Sequence, residues 1–218
     1  MAFIHEPVLL KEVLEWIQPV PGGVYCDGTL GGGGHSEAIL QAAGPEARLF
    51  GIDLDEEAIA AATNRLSGYQ GFTAIHGNFH EARELLRGHQ APPLDGVLLD
   101  LGVSSPQLDQ AERGFSYHED APLDMRMSQS GETAADLVNT LEVGELSRIL
   151  SLYGEEKYAY SIAKGIVRYR ESKPIETTLE LAEIVKENVP QKARRDGHPA
   201  RKTFHKLVKK RSQPPDGT

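Results

Sequence analysis

Short apolar runs alternate with helical patterns over the first hundred residues of the chain. The apolar runs, which predict strands, are Val24–Asp27, Arg48–Asp53, Phe72–His76 and 95–101. The helical patterns between them cover residues 35–43, 55–67 and 80–87. Strands that alternate with helices in this way are typical of βαβ units, whose strands are parallel. We therefore predict an α/β fold with four parallel strands, and Asp55 as the N-cap of the second of these helices.

The pattern on either side of this region is helical. An amphipathic segment at 7–17 precedes the first strand, and its apolar face should pack on the sheet. Residues 102–131 are rich in Gly, Ser and Pro and show no period, which is typical of a functional or disordered loop. Further helices are predicted at 133–140, 143–153, 155–171 and 178–189. Thr177 and Glu180 carry a capping-box signature at the start of the last one.

The composition is that of an ordinary globular protein. Of 218 residues, 39% are hydrophobic and 25% are charged, which argues against wholesale disorder, collagen and coiled coil. The sequence contains no run of 18 apolar residues and no basic segment followed by an apolar one at its N-terminus, so we predict neither a membrane span nor an export signal. Cys26 is the only cysteine, which excludes an internal disulfide. We expect a cytoplasmic protein.

Positive charge is concentrated near the end of an acidic chain. The net charge is −9, yet residues 192–211 hold nine Lys or Arg and a single acid, Asp196. This segment therefore carries +8, and the remainder carries −17. Such a segment suits contact with nucleic acid, because bound Lys and Arg displace counterions from phosphates. A solvated basic tail without a partner fits the charge pattern equally well.

The strongest chemical signal is a glycine run, DGTLGGGGHS at residues 27–36, between a predicted strand and a predicted helix. Glycines in this place let the backbone approach a ligand closely. Asp53 ends the next strand, 20 residues after Gly33, where dinucleotide-binding folds place the carboxylate that takes a ribose hydroxyl. Together these features predict a site for a nucleoside cofactor.

The charges around this site narrow the choice of cofactor. No Lys or Arg occurs between Lys11 and Arg48, so the loop lacks the cation that a nucleoside triphosphate site requires. Asp27, Asp53 and Asp100 end three strands at the ligand-binding edge, where Asp27 and Asp100 would repel a pyrophosphate. A ligand with an ammonium and a sulfonium group is favoured there, which points to S-adenosylmethionine. NAD or FAD is the less favoured alternative.

Other chemistry-bearing side chains have two interpretations each. Phe79 follows the third strand, where it could pack on a purine or belong to the core. His76 and His80 are four residues apart, but the sequence offers no third ligand beside them, and we predict no metal site. Cys26 lies inside a strand and is expected to be a buried apolar residue rather than a reactive thiol.

Two further segments follow the fourth strand. LLDLGVSSPQLD, at 98–109, places the oxygen acceptors of Asp100, Ser104 and Ser105 beside the predicted cofactor. RGFSY, at 113–117, combines a guanidinium with aromatic rings, which suits base stacking and phosphate contact. The alternative is that Phe115 and Tyr117 anchor the loop.

Seven motifs, taken in order, carry a family resemblance: DGTLGGGGHS, LLDLGVSSPQLD, RGFSY, PLDMRM, TAADLVN, YGEEKYA and HPARKTF. The chain resembles, over residues 5–204, the bacterial small-subunit rRNA cytosine-N4 methyltransferases known as RsmH or MraW. The resemblance implies a class I, Rossmann-like methyltransferase fold with a helical insertion after the fourth strand. It also implies S-adenosylmethionine as donor and a decoding-region cytosine of the 16S rRNA as acceptor, in free rRNA or in the small ribosomal subunit.

The resemblance also assigns site residues. The positions implied to contact the cofactor are Gly33, Gly34, His35, Asp53, Phe79, Asp100 and Gln107. In DNA amino-methyltransferases an acid or Asn before Pro-Pro-aromatic stands where this chain has SSPQ, at 104–107, so their catalytic assignment does not transfer. Ser104 is our candidate for the group that accepts a hydrogen bond from the cytosine amine, with Asp100 as a second candidate.

The expected organisation has three parts. Residues 1–105 form the first part of the methyltransferase domain, residues 106–200 a lid loop with the helical insertion, and residues 201–218 a basic tail. We find no match to the family beyond Phe204 and expect the C-terminal strands of the sheet to be missing. The alternative to an active enzyme is therefore a shortened, non-catalytic homologue that binds cofactor or RNA. A homodimer is also compatible with an unpaired strand.

Overall fold

The computed structural model describes residues 7–101, 110–127, 131–152, 156–195 and 198–211. It divides into two compact units, Met1–Gly102 and Val103–Thr218, with the boundary three residues before the predicted one. We call them unit 1 and unit 2. The α/β fold class predicted from the sequence is confirmed, because unit 1 contains a sheet of four parallel strands.

Unit 1 has the predicted order of strands and helices. Its strands are β1 Val24–Asp27, β2 Arg48–Asp53, β3 Phe72–His76 and β4 Gly96–Leu98. Its helices are α1 Leu10–Ile17, α2 Gly34–Ala43, α3 Glu56–Arg65 and α4 Ala82–Gly88. The strand order across the sheet is β3, β2, β1, β4. The chain thus adds β2 and β3 on one side of β1 and then places β4 on the other side, so the order of the strands reverses between β1 and β4.

The sheet buries apolar side chains on both faces. Tyr25 and Leu49 belong to one core cluster, whereas Cys26 and Phe50 belong to the other. Neighbouring residues of a strand point to opposite faces, so this alternation follows directly from strand geometry. Cys26 is buried, as expected for a small apolar residue in a strand, and burial raises the pKa of its thiol to about 11.

Strand β4 is shorter than predicted. The apolar pattern indicated a strand at 95–101, but only Gly96–Leu98 is a strand. Its register with β1 ends where β1 ends, at the pair Asp27 and Leu98, so the residues beyond have no strand to pair with on that side. Among the described residues β4 pairs only with β1, and Val97 on it is 56% exposed.

The opening helix is also shorter than the predicted segment at 7–17. Leu9 lies in the left-handed region with φ 56°, and α1 begins only after it. Leu14 and Ile17 pack against the core cluster that contains Tyr25, as predicted for the apolar face of this helix. Trp16, in contrast, is 87% exposed.

Local capping signals set the starts of two helices in unit 1. The Asp55 carboxylate accepts a hydrogen bond from the backbone N–H of Glu57 at 3.1 Å, which confirms it as the N-cap of α3. The helix predicted at 80–87 is instead a 3-10 turn, Phe79–Glu81, followed by α4. The Asn78 side chain caps that turn by accepting from the backbone N–H of His80 at 3.0 Å.

Unit 2 is helical. Its helices are α5 Ala134–Thr140, α6 Val143–Ser151, α7 Ala159–Arg170, α8 Thr178–Glu187 and α9 Ala200–Arg211. The capping box predicted from Thr177 and Glu180 is present at the start of α8, and Thr133 with Asp136 forms another at α5. Short 3-10 turns occur at Ala111–Arg113 and Gln191–Arg195.

The described part of the predicted lid loop is packed into unit 2. Phe115, Leu123 and Met125 are buried in the same core cluster as the helices. The Leu123 N–H donates to the carbonyl of Glu176 at 2.9 Å, and the Thr178 N–H donates to the carbonyl of Ala121 at 2.9 Å. Phe115, Leu123 and Met125 therefore hold this segment against the core of unit 2.

The predicted basic tail at 201–218 needs correction, because residues 200–211 form helix α9. Ala200, Phe204, Leu207 and Val208 are buried in the unit 2 core cluster. Their spacing of four, three and one residues places them on one helix face. The same helix carries cations, and Lys206 among them is buried. Charge alone misjudged a segment whose apolar positions have a helical period.

The helices of both units are short. The longest among the described residues, α7 and α9, have 12 residues each. In the described part of the chain, no helix has the length and apolar character needed to cross a membrane.

Candidate cofactor site

The site lies at the carboxyl ends of the strands in unit 1. Asp27 ends β1, Asp53 ends β2, and Asp100 follows β4 by two residues. Because all strands are parallel, these ends meet at one edge of the sheet, beside the reversal of strand order between β1 and β4. The predicted meeting of three carboxylates at one sheet edge is therefore confirmed.

Asp27 is the buried base of this site, with 1% of its surface exposed. Its carboxylate accepts hydrogen bonds from the Ser36 hydroxyl at 2.7 Å and from the Thr29 N–H at 3.1 Å. Burial raises the pKa of Asp27 to about 6, the hydrogen bonds from Ser36 and Thr29 oppose this shift, and the charge of Asp53 adds to it. A carboxylate held in this way favours a positively charged ligand nearby.

The glycine loop takes backbone conformations that other residues adopt rarely. Gly31 has φ 49° and Gly33 has φ 76°, both in the left-handed region. A side chain at Gly33 would also press on α3, because an ideal Cβ there lies 3.2 Å from the Cβ of Ala62 and 3.2 Å from Cδ1 of Leu66. Gly32 is different: no heavy atom of the described residues lies within 4 Å of its ideal Cβ. The loop thus presents an open face at Gly32.

Asp53 holds the glycine loop in place. One of its oxygens accepts from the N–H of Gly31 at 2.8 Å, and the other accepts from the N–H of Asp55 at 2.9 Å. Burial raises the pKa of the Asp53 carboxyl, and these backbone hydrogen bonds limit the rise. Asp53 therefore links the end of β2 to the loop after β1, at the position predicted for the ribose-binding acid.

His35, the second residue of α2, contributes a buried polar atom without a partner. Its side chain is 11% exposed, and within the described residues its Nδ1 has no hydrogen-bond partner. Its Nε2 lies 3.9 Å from an Asp100 oxygen, but burial lowers the pKa of the ring, so the contact is not an ion pair at neutral pH. A buried ring nitrogen with no partner is costly, and a bound ligand with a polar group would satisfy it.

Thr29 connects the glycine loop to the end of β4. Its hydroxyl accepts a hydrogen bond from the backbone N–H of Asp100 at 2.7 Å, across 71 residues of sequence. The Gly28 N–H donates to the carbonyl of Leu98 at 2.9 Å and continues the contact between these two segments. The Asp100 carboxylate itself remains exposed, so it is available to a ligand.

Phe79 follows β3, as the sequence indicated, and the structure places it beside Gly28, the residue after β1. Its Cβ is 3.2 Å from an ideal Cβ at Gly28, and Cδ2 of Leu99 is 2.5 Å from the same point. Gly28 therefore leaves room for both neighbours. The Phe79 ring stacks on the ring of His80, with centroids 4.5 Å apart and planes inclined by 30°. Phe79 is only partly buried, which leaves part of its ring for a ligand.

Sequence reasoning missed several supporting residues. Arg65 of α3 donates to the carboxylate of Glu37 at 2.9 Å and to the carbonyl of Gly32 at 3.2 Å, so it braces the glycine loop from outside. The hydrogen bonds of Ser36 and Thr29 were missed as well. The contact of Thr29 with Asp100 spans 71 residues and has no local signature, whereas the contacts of Asp27 with Ser36 and Thr29 lie within the glycine motif itself.

Four other residues that the sequence singled out add no described contact to this site. Ser104, Ser105 and Gln107 lie outside the described residues. His76 is occupied by a contact of its Nε2 with the carbonyl oxygen of Leu54 at 3.0 Å. Among the residues that the structure describes, no group of three or more His, Cys, Asp and Glu side chains could hold a metal ion.

The residues present fit a cationic nucleoside cofactor. Three carboxylates meet at the sheet edge, and an open glycine loop precedes α2. The buried Nδ1 of His35 has no hydrogen-bond partner among the described residues. Residues 24–47 contain no Lys or Arg, and the guanidinium of Arg65, which reaches the loop, is engaged by the Glu37 carboxylate and the Gly32 carbonyl rather than free to bind a pyrophosphate. Fold and site together define an α/β protein of the methyltransferase class.

The sequence match makes the assignment specific. Residues 2–208 match the model of the MraW methylase family, and the chain belongs to that family. The match extends four residues past Phe204, the residue at which the match predicted from the motifs ends. Membership confirms the predicted methyltransferase class and its cofactor, S-adenosylmethionine.

Named relatives agree with the family. The chain is 53% identical over 208 residues to "Ribosomal RNA small subunit methyltransferase H" of Geobacter sp. strain M21, covering 94% of this chain and 67% of the relative. It is 52% identical over 214 residues to the protein of the same name from Paenibacillus sp. strain JDR-2, covering 94% and 68%. The chain thus spans about two thirds of the length of the curated relatives it matches.

Solved structures are more distant. A SAM-dependent methyltransferase from Aquifex aeolicus is 14% identical with a TM-score of 0.30, covering 66% of this chain and 78% of that one. Fibrillarin from Aeropyrum pernix, solved with bound S-adenosyl-L-methionine, is 12% identical with a TM-score of 0.35, covering 72% and 65%.

Proposed function

We propose that this chain transfers the methyl group of S-adenosylmethionine to the N4 amine of a cytosine in the decoding region of small-subunit rRNA. Membership in a methylase family supports the reaction class, and the names of the relatives support the RNA. The choice of N4 and of the decoding region rests on the motif resemblance. Such a substrate implies a cytoplasmic enzyme that acts on rRNA or on the small ribosomal subunit.

The observation that carries the cofactor part of the proposal is the buried Nδ1 of His35, which has no hydrogen-bond partner among the described residues, in a ring whose Nε2 lies 3.9 Å from the exposed Asp100 carboxylate. We propose that Gly33, Gly34 and His35 hold the cofactor. From the matching motifs we also propose that Asp53 takes the ribose and that Phe79 packs on the adenine. Asp100 and Gln107 are proposed to complete the site.

Methyl transfer to the cytosine amine depends more on how the reacting atoms are positioned than on the strength of an acid. When bound, the cofactor supplies an electrophilic methyl group on a sulfonium. The cytosine amine is a weak nucleophile, because its lone pair is conjugated with the ring, so an acceptor must orient it through a hydrogen bond. As the N–C bond forms and the C–S bond breaks, the excess proton on the nitrogen passes to the exposed Asp100 carboxylate or to water. Ser104 is proposed for the orienting role, with Asp100 as the alternative. Alignment of the reacting atoms can supply much of the rate enhancement.

The target base must also reach the donor. A cytosine stacked in a helix would be shielded, so the substrate nucleotide must be unstacked or already single-stranded. The proposal therefore requires an RNA surface as well as a cofactor pocket.

The direct test incubates the chain with small ribosomal subunits and labelled donor, followed by nucleoside analysis. N4-methylcytosine is the expected product, and its absence at high protein concentration contradicts the proposal. Ser104→Ala should lower the single-turnover rate without changing donor affinity. An unchanged rate removes Ser104 from the mechanism.

Donor binding is tested separately by calorimetry, with NAD as the control ligand. Gly32→Ala places a methyl group on the open face of the glycine loop, so it should weaken S-adenosylmethionine binding by about tenfold or more without lowering stability. Gly68→Ala is the matched control, because its ideal Cβ also meets no described atom within 4 Å and it lies away from the loop. Equal donor affinity in both variants would show that the ligand does not lie on this face.

These measurements also separate the alternative function. A chain that binds S-adenosylmethionine saturably but yields no methylated cytosine is the non-catalytic binding protein considered from the sequence. A chain that binds NAD instead refutes the cofactor assignment.

A further inference from the structure

Unit 2 contains a cleft that the proposed methyl transfer does not use. Its volume is about 660 Å³, within the range of small-ligand sites. It is formed between helix α8, the turn before α9 and the segment after Gly114. Its lining comprises Tyr117, Leu179, Ala182, Glu183, Lys186, Arg194, His198 and Pro199.

An aromatic stack forms part of the wall of this cleft. The rings of Tyr117 and His198 are 4.5 Å apart at their centroids and inclined by 17°. Tyr117 also meets the ring edge of buried Phe204 at 5.6 Å, so its position is tied to the core of unit 2. His118 contacts both rings of the stack. The four rings form one cluster, and we call its stacked pair, Tyr117 and His198, the platform.

The two aromatic residues of the RGFSY motif have different places. Phe115 is buried in the core and anchors the segment, which is one of the two interpretations left open by the sequence. Tyr117 is only partly buried and lines the cleft, as the other interpretation, stacking on a base, requires. Arg113 donates to the carbonyls of Arg126 at 3.0 Å and Met127 at 3.2 Å, so this guanidinium supports the chain fold.

The charges of the cleft favour an anion beside the platform. Arg194 is exposed, and its guanidinium is oriented by donation to the Val189 carbonyl at 3.2 and 3.3 Å. Lys186 bonds both oxygens of Glu183 at 2.9 Å, so the one acid of the lining is already neutralised. Arg194 remains as the excess positive charge.

The pKa of His198 lies below its ordinary value, which favours the uncharged ring. Burial lowers its pKa, and the nearby charges of His118 and Lys186 lower it further, whereas Glu183 opposes the shift. Its Nδ1 accepts a hydrogen bond from the Ala200 N–H at 3.3 Å. A neutral imidazole stacked on a phenol offers a flat surface to another planar ring.

We propose that this cleft binds one unpaired nucleotide of single-stranded RNA, with the base stacked at the Tyr117–His198 platform and its phosphate at Arg194. The inference rests on the proposed function only in that both require RNA as the ligand. Planar aromatic walls with an adjacent cation match a nucleotide, since bases stack on aromatic rings and phosphates pair with guanidinium. The site holds RNA through unit 2 and takes no part in methyl transfer.

The test measures binding of a fluorescently labelled single-stranded oligocytidylate by anisotropy. Tyr117→Leu removes the ring but keeps an apolar side chain, and should weaken binding by about tenfold, as expected for loss of one stacking contact. The matched control is Tyr160→Leu, which removes a 62% exposed tyrosine of α7 outside the cleft lining. Equal losses in the two variants overturn the proposal.

Arg194→Gln tests the phosphate contact without touching the core, so it is informative even if Tyr117→Leu is unstable. It should weaken binding several-fold and reduce the slope of log K against log salt by about 0.7, the value for one contact to a single strand. Arg87→Gln, an exposed arginine of unit 1, is the control for general charge loss. An unchanged salt slope in Arg194→Gln contradicts the proposed contact.

Calorimetry with S-adenosylmethionine distinguishes failure of this inference from failure of the proposed function. The cofactor residues that the structure describes lie in unit 1, and neither Tyr117 nor Arg194 is among the residues proposed to hold the donor, so both cleft variants should keep the donor affinity of the wild-type chain. RNA binding that depends on Tyr117 and Arg194 supports the cleft even where no methylated cytosine forms. If the chain methylates cytosine but its RNA binding does not depend on Tyr117 or Arg194, the proposed nucleotide site in the cleft is refuted and the proposed function stands.

Discussion

The two units bury their apolar residues in different ways. Unit 2 gathers its buried side chains from five helices and the segment around Leu123 into one cluster of the described residues. Unit 1 divides its buried residues between the two faces of a sheet, in two smaller clusters. Its β4 side leaves large apolar residues exposed, among them Val97, Leu99 and Leu101.

This difference determines where each unit can hold a ligand. A helical cluster closes around its apolar side chains, so ligand contacts of unit 2 lie in a surface cleft. A parallel sheet brings strand ends and their loops to one edge, which lets unit 1 bury Asp27 beside an open loop and keep the Nδ1 of His35 without a partner among the described residues. Stability and ligand binding are therefore expected to respond differently to substitutions in the two units.

The largest expected effect tests the closed core of unit 2. Phe204→Ala removes a buried ring of α9 and should lower the free energy of unfolding by about 3–5 kcal/mol. Leu179→Ala, at a 41% exposed position of α8, should cost much less. Urea denaturation of both variants measures the difference. A loss below about 1 kcal/mol for Phe204→Ala would mean that α9 does not belong to the core.

The next prediction tests the buried acid of unit 1. The pKa of Asp27 rises from 3.8 in the unfolded chain to about 6 in the folded one, so its effect on stability depends on pH. Below pH 3.8 both states are protonated and the ionisation costs nothing. As the pH rises to about 6, the unfolded state loses its proton first, and folding loses about 3 kcal/mol in total.

Asp27→Asn should abolish this contribution. The difference in unfolding free energy between variant and wild type should grow in favour of the variant from pH 4 to 6.5 and then stay constant. Denaturant titrations across this pH range give the measurement. The same variant should bind S-adenosylmethionine more weakly, since it lacks the carboxylate. A difference that does not vary with pH would contradict the assigned burial.

A third prediction compares glycines with positive φ in the two units. Gly114 in unit 2 has φ 71°, and an ideal Cβ there overlaps the carbonyl oxygen of Pro122 and lies 2.9 Å from the Asp124 nitrogen. Gly114→Ala should therefore cost at least about 1–3 kcal/mol of stability. Donor affinity should not change, in contrast to substitutions in the loop of Gly31 and Gly33. Thermal unfolding and calorimetry test the two statements.

Gly144→Ala is the control for this comparison. Gly144 lies in α6, and its ideal Cβ has no described heavy atom within 4 Å. Alanine there should stabilise the helix by about 0.5–1 kcal/mol. If both alanine variants change stability in the same direction, backbone strain at Gly114 is not the cause.

The smallest effect concerns the exposed edge of unit 1. Val97→Lys places a charge on β4, where the valine is 56% exposed, and should change stability by no more than about 0.5 kcal/mol. It should reduce concentration-dependent self-association, because charged residues protect strand edges from pairing. Sedimentation velocity at rising concentrations is the measurement. Equal association of both proteins would show that this edge does not mediate it.

Features whose cause is local could be predicted from the sequence. The bounds of β1, β2 and β3 agree with the apolar runs, since each run contains the residues that the sheet buries. The Asp55 cap and the Thr177 capping box agree because donor and acceptor are within three residues of each other. The end of β4 could not be predicted, because it depends on where β1 stops.

The same distinction applies to the two sites. The glycine run, Asp53 and Phe79 were found from motif spacing and strand ends, because a parallel sheet determines which ends meet. The Thr29 contact with Asp100 joins residues 71 apart, and the platform joins Tyr117 to His198 across a similar distance. Such pairs carry no local signature.

The sequence by itself determined the class of fold, the family and the chemical character of the cofactor edge. Periodicity, glycine positions and carboxylates at strand ends are properties of short segments, and short segments set local backbone conformation. Only the tertiary structure decided that α9 belongs to the core, that Asp27 is buried with a raised pKa, and that Tyr117 lines a cleft. Burial and ring contacts arise when distant segments pack, because the free energy of packing depends on the neighbours that folding supplies.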